Sequence, residues 1–367
     1  MAKLTRAALA LCAATALSTF AIQGQAQGVV PTHPMGAVAP KGWKTPRTVD
    51  GHPSLEGVWT NATLTTLERD PKLGDRLVLT EEEVARIEGT ERKTVVAGQA
   101  STDPKIKVTD LPEDCGRGFR GVDCGYNSFW IDPGTHIIRV NGQPRSSILV
   151  EPKNGRLPPL TKEAQARMQA RFGNARVGNF DGPERRSLGE RCILSFGTSA
   201  GPPMLPLLYN NNYQIIQTKD EVLIEVEMVH DTRIIRLGAK PIPASVKQWM
   251  GDSVGHWEGD TLVVETGNLR PEQSFRGAGP DAKIIERLTR IGPQQMLYQF
   301  ELNDPSAFTA PIKGEVALNA TKGPVYEYAC HEGNYALPGI LAGARAEEKR
   351  GRELEGSRGE VKEEGAE

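Results

Sequence analysis

The stretch HWEGDTLVVETGNL, residues His256–Leu269, decides the fold of this chain. At its centre Gly259 supplies the positive φ that a tight hairpin turn requires. The flanking runs SVGHW and TLVVET are rich in β-branched residues, and such runs pair as antiparallel strands. The stretch therefore predicts a β-hairpin.

Further strand-like segments surround this hairpin between residues 213 and 330. Short turns, such as Lys219-Asp220 and Gly292-Pro293, connect them, and no helical crossovers intervene. Successive strands with short links favour an antiparallel meander, which closes into a barrel or folds into a sandwich when it is long. We therefore predict a mainly β, barrel-like domain and reject a doubly wound parallel sheet. The segments are NNYQIIQT, EVLIEVEMV, TRIIRL, AKIIERLTRI, QQMLYQFELND and PVYEYAC.

The first half of the chain predicts the periphery of this domain. SLEGVWTN predicts a first strand, and its Gly-x-Trp form is typical of lipocalin-like barrels. Thr80, with Glu83 three residues later, predicts a capped helix, and Thr161 predicts another. YNSFWID (residues 126–132) and RSSILVEP predict two more strands. Gly and Pro predict a long irregular cap over residues 100–206.

The N-terminal sequence predicts an exported protein. Lys3 and Arg6 precede a short apolar run, Leu9–Ile22, and the small residues of Gly24-Gln25-Ala26 form a cleavage site. The alternative is a membrane anchor, but a spanning helix needs about twenty apolar residues. We expect a periplasmic or secreted protein with no integral membrane segment. The predicted organisation is a signal peptide (1–26), an extended leader (27–52), a single β-rich domain (53–345, with the cap at 100–206 and the core meander at 207–335) and a charged tail (346–367).

The charge balance argues against nucleic acid as a partner. The formal net charge is −2, and removal of the two basic residues of the signal segment changes it to −4. Because affinity for nucleic acid comes largely from clustered Lys and Arg, a mildly acidic chain without a basic tract is poorly suited to it.

The cysteines predict two disulfides. Of the five cysteines, Cys12 lies in the signal segment, and an even set of four remains, with three possible pairings. Cys115 and Cys124 bracket a Gly-rich loop, so we predict that they pair locally. Cys192 and Cys330 would then join the start and the end of the β-rich core. Free buried thiols are the alternative.

Two polar side chains alternate with apolar residues and therefore share a strand face with them. Glu286 alternates with Ile284 and Leu288, and Tyr298 lies in the similar run QMLYQFEL. Such a side chain either is exposed on the surface or lies in an interior cavity. In a cavity, burial would disfavour the charged form and so raise the pKa of the carboxyl or phenol.

Three polar clusters lie at strand ends, in YNNNY (209–213), EMVHDTR (227–233) and CHEGNY (330–335). Because a β scaffold usually carries its chemistry on strand ends and loops, we predict one site at an open end of the barrel. The alternative is that the clusters only satisfy backbone groups. The predicted catalytic residues are His230, His331 and Glu227, and the predicted substrate-binding residues are Tyr126, Asn127, Trp130, Tyr209, Asn210, Arg233 and Glu286.

His230 or His331 is the candidate acid–base group, since the unperturbed pKa of an imidazole, about 6.5, lies near working pH. Glu227 would orient the imidazole or share its proton, and Arg233 would bind an anionic or carbonyl oxygen. The aromatic residues would form an apolar wall. His230, His256 and His331 are possible zinc or iron ligands. They lack the spacing that is diagnostic of a metal site, so we expect no metal.

Two classes of function remain. The chain has no phosphate-binding Gly loop, no Gly-x-Ser-x-Gly elbow and no dinucleotide fingerprint, so we expect no cofactor. The first class is an enzyme (lyase, isomerase or hydrolase) that acts by acid–base chemistry on a small apolar or aromatic molecule. The second is a non-catalytic barrel that binds such a molecule. The polar clusters favour the enzyme, and the absence of a nucleophile motif favours the binding protein. The oligomeric state is left open.

The motifs also resemble, in order, those of a large group of exported bacterial proteins. The resemblance covers roughly residues 126–348 and rests on RSSILVEPKNGRLPPLT, YNNNYQIIQT, EMVHDTRII, WEGDTLVVET and YEYACHEGNY. It implies a secreted or periplasmic, β-rich protein. It implies no particular activity and therefore no catalytic residues.

Overall fold

A computed structural model describes residues 39–98, 133–173, 180–195, 201–273 and 275–350. It contains three helices and twelve strands in these ranges. The helices are α1 (Glu81–Gly98), α2 (Lys162–Gly173) and α3 (Ala336–Lys349). The strands are β1 (Gly57–Thr60), β2 (Arg139–Val140), β3 (Gln143–Pro144), β4 (Leu149–Glu151), β5 (Asn212–Gln217), β6 (Glu221–Val226), β7 (Asp231–Leu237), β8 (Asp252–Glu258), β9 (Thr261–Gly267), β10 (Lys283–Gly292), β11 (Gln295–Asn303) and β12 (Ile312–Ala320).

Nine strands form a closed barrel, which confirms the predicted mainly β, barrel-like fold. The strands β5 to β12 are neighbours in chain order, and β1 lies between β5 and β12 and closes the ring. Trp59 of β1 pairs with Tyr213 on one side and with Ala320 on the other. β4 continues the sheet beside the first residues of β12.

The meander is not antiparallel throughout, because β7 and β8 run parallel. In a closed ring with an odd number of strands, directions cannot alternate all the way round, so one neighbouring pair must be parallel. A parallel pair needs a long crossover, and residues 238–251 supply it. The barrel is therefore mainly antiparallel, as predicted, and β7–β8 is its parallel pair.

The hairpin predicted in the stretch His256–Leu269 is confirmed. β8 and β9 are antiparallel, with Glu258 opposite Thr261, and Gly259 has a φ of 61° in the turn. The capping residue of α1 is also confirmed. The hydroxyl of Thr80 accepts from the backbone N–H of Glu83 (3.2 Å), and the Glu83 carboxylate accepts from the N–H of Thr80 (2.8 Å).

The last barrel strand differs from the prediction. The segment PVYEYAC contains no strand, and β12 closes the series instead. Pro324 has no N–H to donate to a ladder. β12 was missed because Gly314 and its alanines have low β propensity. A Cβ on Gly314 would collide with the ring of Phe300, so this glycine is required by the packing of its neighbour strand.

The predicted irregular cap is partly regular. Its described residues contain α2, β4 and the hairpin of β2 and β3, whose turn residues Asn141 and Gly142 have positive φ values of 51° and 79°. The hydroxyl of Thr161 caps α2 by accepting from the N–H of Ala164 (3.1 Å). The predicted strand at residues 126–132 and the predicted signal segment lie outside the described residues.

Strand alternation places the core inside the barrel. Val222, Ile224 and Val226 alternate along β6, share one face of it and are fully buried. Glu286 and Tyr298 belong to the buried face as well, and neither is exposed to solvent. Both are therefore interior groups rather than surface exceptions.

Candidate functional site

A buried ion pair lies inside the barrel. Arg233 on β7 and Glu286 on β10 both point inward, and their side chains are 3% and 0% exposed. Nη1 of Arg233 donates to Oε1 of Glu286 (2.8 Å), and Nη2 donates to Oε2. Nε and Nη2 also donate to the hydroxyls of Ser253 (3.0 Å) and Thr266 (2.8 Å). The pair is thus bidentate and surrounded by further hydrogen bonds, which is the arrangement that a buried pair needs.

Tyr298 extends this network across the barrel. Its hydroxyl donates to Oε1 of Glu286 (2.8 Å) and accepts from the backbone N–H of Met204 (2.9 Å). Burial and the nearby carboxylate raise the pKa of Tyr298 well above its usual value. Burial alone would lower the pKa of Arg233, but the attraction of Glu286 outweighs it and raises that pKa. Arg233 and Tyr298 therefore both keep their protons at ordinary pH.

Among the described residues, buried side chains occupy the interior of the barrel. Residues 201–205 are buried, and the contact of Met204 with Tyr298 shows that this segment reaches the interior network. A cavity of about 10 Å³ lies among apolar side chains that include Leu269, Phe275 and Leu302. Such a volume holds about one water molecule. Within the described residues, this apolar cavity has no room for a ligand.

A second polar region lies where β6 ends and β7 begins, and we call it the rim cluster. It consists of Tyr209, Asn210, Asn212, Glu227, His230, Asp231 and Tyr328. The Glu227 carboxylate is buried and accepts from the side-chain amides of Asn210 (2.8 Å) and Asn212. These contacts join two of the three polar clusters that the sequence singled out.

The segment just before the third cluster reaches the rim through Tyr328. Nδ1 of His230 lies 2.8 Å from the backbone carbonyl oxygen of Tyr328. The phenol of Tyr328 lies near that of Tyr209, and burial together with this neighbour raises the pKa of Tyr328 to about 12. The segment before α3 therefore covers part of the rim cluster.

The backbone of the rim cluster is strained. Asn210, Val229 and His230 have φ values of 54°, 63° and 42°, in the left-handed region that non-glycine residues rarely adopt. Val229 is the least suited of the three, because a β-branched residue is strongly disfavoured there. Strain of this kind persists only where the surroundings impose it, and it is often associated with functional sites.

Asp231 carries the most perturbed carboxyl of the rim. It begins β7 and shares the inward face with Arg233 and Ile235. Its Oδ2 is buried, and it is the only carboxylate oxygen in the described part of the chain that is buried without a hydrogen-bond partner. Burial raises the pKa of Asp231 to about 7, although the positive charge of His230 opposes the shift. Near neutral pH this carboxyl can therefore accept or release a proton.

The structure thus divides the predicted site residues into two groups. Tyr209, Asn210, Glu227 and His230 lie in the rim cluster, whereas Arg233 and Glu286 form the interior ion pair. Glu227 does not orient the imidazole, since its carboxylate is engaged by the two asparagines. His331 is exposed, on the turn that precedes α3. Tyr126, Asn127 and Trp130 lie outside the described residues.

Three residues of the rim cluster, Asn212, Asp231 and Tyr328, were not among the predicted site residues. Asn212 and Asp231 stood in the polar clusters YNNNY and EMVHDTR without an assigned role, although the alternation of Asp231 with Arg233 and Ile235 was a readable signal. Tyr328 was assigned to a strand that does not form.

One disulfide prediction is confirmed, and the other lies outside the described residues. Cys192 and Cys330 form a disulfide with a Cα–Cα distance of 5.7 Å. The predicted partners Cys115 and Cys124 belong to the part of the chain that is not described.

Comparisons with known proteins found no match. No protein-family model, no curated protein and no solved structure matched this chain. The resemblance to exported bacterial proteins therefore stays a prediction. Among the described residues, no helix is long and apolar enough to cross a membrane. In the same residues, no three His, Cys, Asp or Glu side chains are placed to hold a metal ion.

Proposed function

We propose that the chain is an exported enzyme that catalyses proton transfer on a small aromatic carbonyl compound at the rim cluster, without a cofactor. The observation that carries the proposal is the Asp231 carboxyl, whose buried Oδ2 has no partner and whose pKa is about 7. Perturbed carboxyls at the edge of a scaffold are typical of acid–base sites.

Each group of the rim cluster has a role in such a reaction. The Asp231 carboxylate takes a proton from the carbon next to the substrate carbonyl, which leaves an enolate. A phenol of the pair formed by Tyr209 and Tyr328 donates a hydrogen bond to the enolate oxygen and lines an apolar wall. His230, as the imidazolium, donates its Nε2 proton to the enolate carbon and is left neutral with its hydrogen on Nδ1; Asp231 then gives its proton to water and His230 takes one from water, which resets both groups. This scheme fits the lyase and isomerase classes better than hydrolysis.

The packed interior counts against the alternative of a binding barrel. A lipocalin-like protein holds its ligand inside the barrel, whereas the described interior is occupied by side chains and by the Arg233–Glu286 pair. A non-catalytic protein would also gain nothing from an unpartnered buried carboxyl, which is costly to keep.

Deuterium uptake tests this proposal. The full chain is incubated in deuterated buffer with a panel of alkyl aryl ketones and arylacetaldehydes, all of which carry α-hydrogens, and exchange at the α-carbon is followed by NMR. Binding of each compound is measured in parallel by saturation-transfer NMR. Exchange is expected for at least one compound, with a rate that rises through pH 7 as Asp231 ionises.

The variant Asp231→Asn keeps the shape of the side chain and removes the base, so exchange is expected to fall at least about 100-fold. Asp220→Asn makes the same change on an exposed turn and is expected to leave the rate unchanged. Binding without enzyme-dependent exchange would favour the binding protein. Exchange that survives in Asp231→Asn would refute the assigned base.

A further inference from the structure

A strap of chain crosses the rim cluster. Residues 321–335 run from the end of β12 to the start of α3 without forming a strand. The strap is attached at three places beyond its first residue. His230 contacts the Tyr328 carbonyl, Cys330 is bonded to Cys192, and the amide of Asn334 donates to the Glu190 carbonyl (2.7 Å).

The contact at Tyr328 determines where the proton of His230 resides. A backbone carbonyl accepts hydrogen bonds and has no hydrogen to donate. The ring nitrogen that lies 2.8 Å from it, Nδ1, must therefore carry the hydrogen. In the neutral imidazole, the other nitrogen, Nε2, then holds the free lone pair. His230 is exposed, so this lone pair is available to a substrate bound at the rim.

The disulfide anchors the carbonyl that makes this contact. Cys330 follows Tyr328 by two residues, a span of at most about 7 Å when fully extended. Its partner Cys192 is only 6% exposed and belongs to a turn that also receives the Asn334 contact. Only two residues separate Tyr328 from the buried anchor, so the bridge limits how far the Tyr328 carbonyl can move from His230.

We propose that the Cys192–Cys330 disulfide is a positioning device for His230, which fixes the Nδ1–H tautomer by holding the Tyr328 carbonyl on Nδ1. The proposal rests on the proposed function for its catalytic meaning. It assigns to the bridge and to the strap a role in orienting an acid–base group, beyond their contribution to stability.

The tautomer of His230 is directly measurable. The full chain is labelled with ¹⁵N-histidine. The two-bond ¹H–¹⁵N correlations of each imidazole are recorded at a pH high enough for the ring to be neutral. His230→Gln identifies the signals of His230. In the wild type we expect a protonated Nδ1 and an unprotonated Nε2. The opposite pattern would overturn the proposal at once.

Two variants release the strap in different ways. Cys192→Ser combined with Cys330→Ser removes the bridge, and a Gly-Gly insertion after Tyr328 keeps the bridge but lengthens the link. In both we expect the Nδ1–H form to fall to a minority. If the double variant does not fold, the insertion variant alone tests the proposal. Asn334→Ala, which removes a different anchor of the strap, is the matched control and is expected to keep the wild-type pattern.

An unchanged tautomer in a folded release variant would refute the positioning role. The α-carbon exchange assay on the same variants separates this failure from failure of the proposed function. If the tautomer changes as expected but the wild type shows no exchange with any compound, the positioning device stands and the proposed function fails. If wild-type exchange occurs and survives release of the strap unchanged, the function stands and the device fails.

Discussion

Replacement of Asp231 by Asn provides a test of the rim cluster that needs no substrate. Asp231 is the first residue of β7, and its Oδ2 is buried and has no hydrogen-bond partner. Asn has nearly the same shape and does not ionise. The comparison of the two proteins therefore isolates the free energy of keeping a carboxylate at this position.

The sign and size of the effect follow from the pKa. It is raised from 3.8 to about 7 in the folded chain, mainly by burial. A group that holds its proton more tightly in the folded state makes the unfolding free energy fall as pH rises between its two pKa values. Where the unfolded chain has lost this proton and the folded chain still holds it, each rise of one pH unit lowers the unfolding free energy by about 1.36 kcal/mol. From pH 5 to pH 8 this carboxyl therefore lowers the unfolding free energy by about 2–3 kcal/mol.

Urea denaturation of both proteins, followed by circular dichroism at pH 5, 6, 7 and 8, measures this difference. The stability of Asp231→Asn relative to the wild type is expected to increase by about 2–3 kcal/mol over that range, with most of the change below pH 7. Asp220→Asn, on an exposed turn, should show a flat difference. A flat difference for Asp231→Asn, or one that declines with pH, would show that the carboxyl is not desolvated and would remove the main support for the proposed function.

Three further predictions concern stability. Breaking the Cys192–Cys330 bridge, which closes a loop of 138 residues, should lower the unfolding free energy by about 3–5 kcal/mol, measured by urea denaturation of the double Ser variant. Glu286→Gln and Arg233→Met should each cost about 3–5 kcal/mol, because each leaves its partner's buried charge uncompensated. Their combined loss should be clearly smaller than the sum in a double-mutant cycle, and additive losses would contradict direct pairing. Thr80→Ala should destabilise the chain by about 1 kcal/mol through loss of the α1 cap, as followed by thermal denaturation.

Local features of the fold were predictable from the sequence because their causes are local. Gly259 determines its hairpin through its own φ, and Thr80 and Glu83 cap α1 within a single turn. β12 was not predictable in this way. Its Gly314 is needed only because the ring of Phe300, on a neighbouring strand, occupies the space of a side chain. The parallel pair of strands likewise follows from the number of strands that closes the ring.

The site was predictable in its location more than in its chemistry. The sequence placed Asn210, Glu227 and His230 at strand ends, and the structure brings them to one rim. The role of Asp231 depends on how deeply the first residue of β7 is buried, which strand periodicity does not give. The pairing of Arg233 with Glu286 joins residues that are 53 positions apart, so no short-range pattern could reveal it.

The two polar regions differ in whether their hydrogen-bonding capacity is used. Inside the barrel, both oxygens of Glu286 accept hydrogen bonds, and Arg233 is held by its partner and two hydroxyls. A fully satisfied buried network gains nothing from a ligand, because any incoming group must first break a contact at least as good as the one it offers. At the rim, Asp231 has an unused buried oxygen beside a strained His230. A substrate that donates a proton or a hydrogen bond there would offset a desolvation that the folded chain already bears, so the rim is where binding and chemistry can be favourable together.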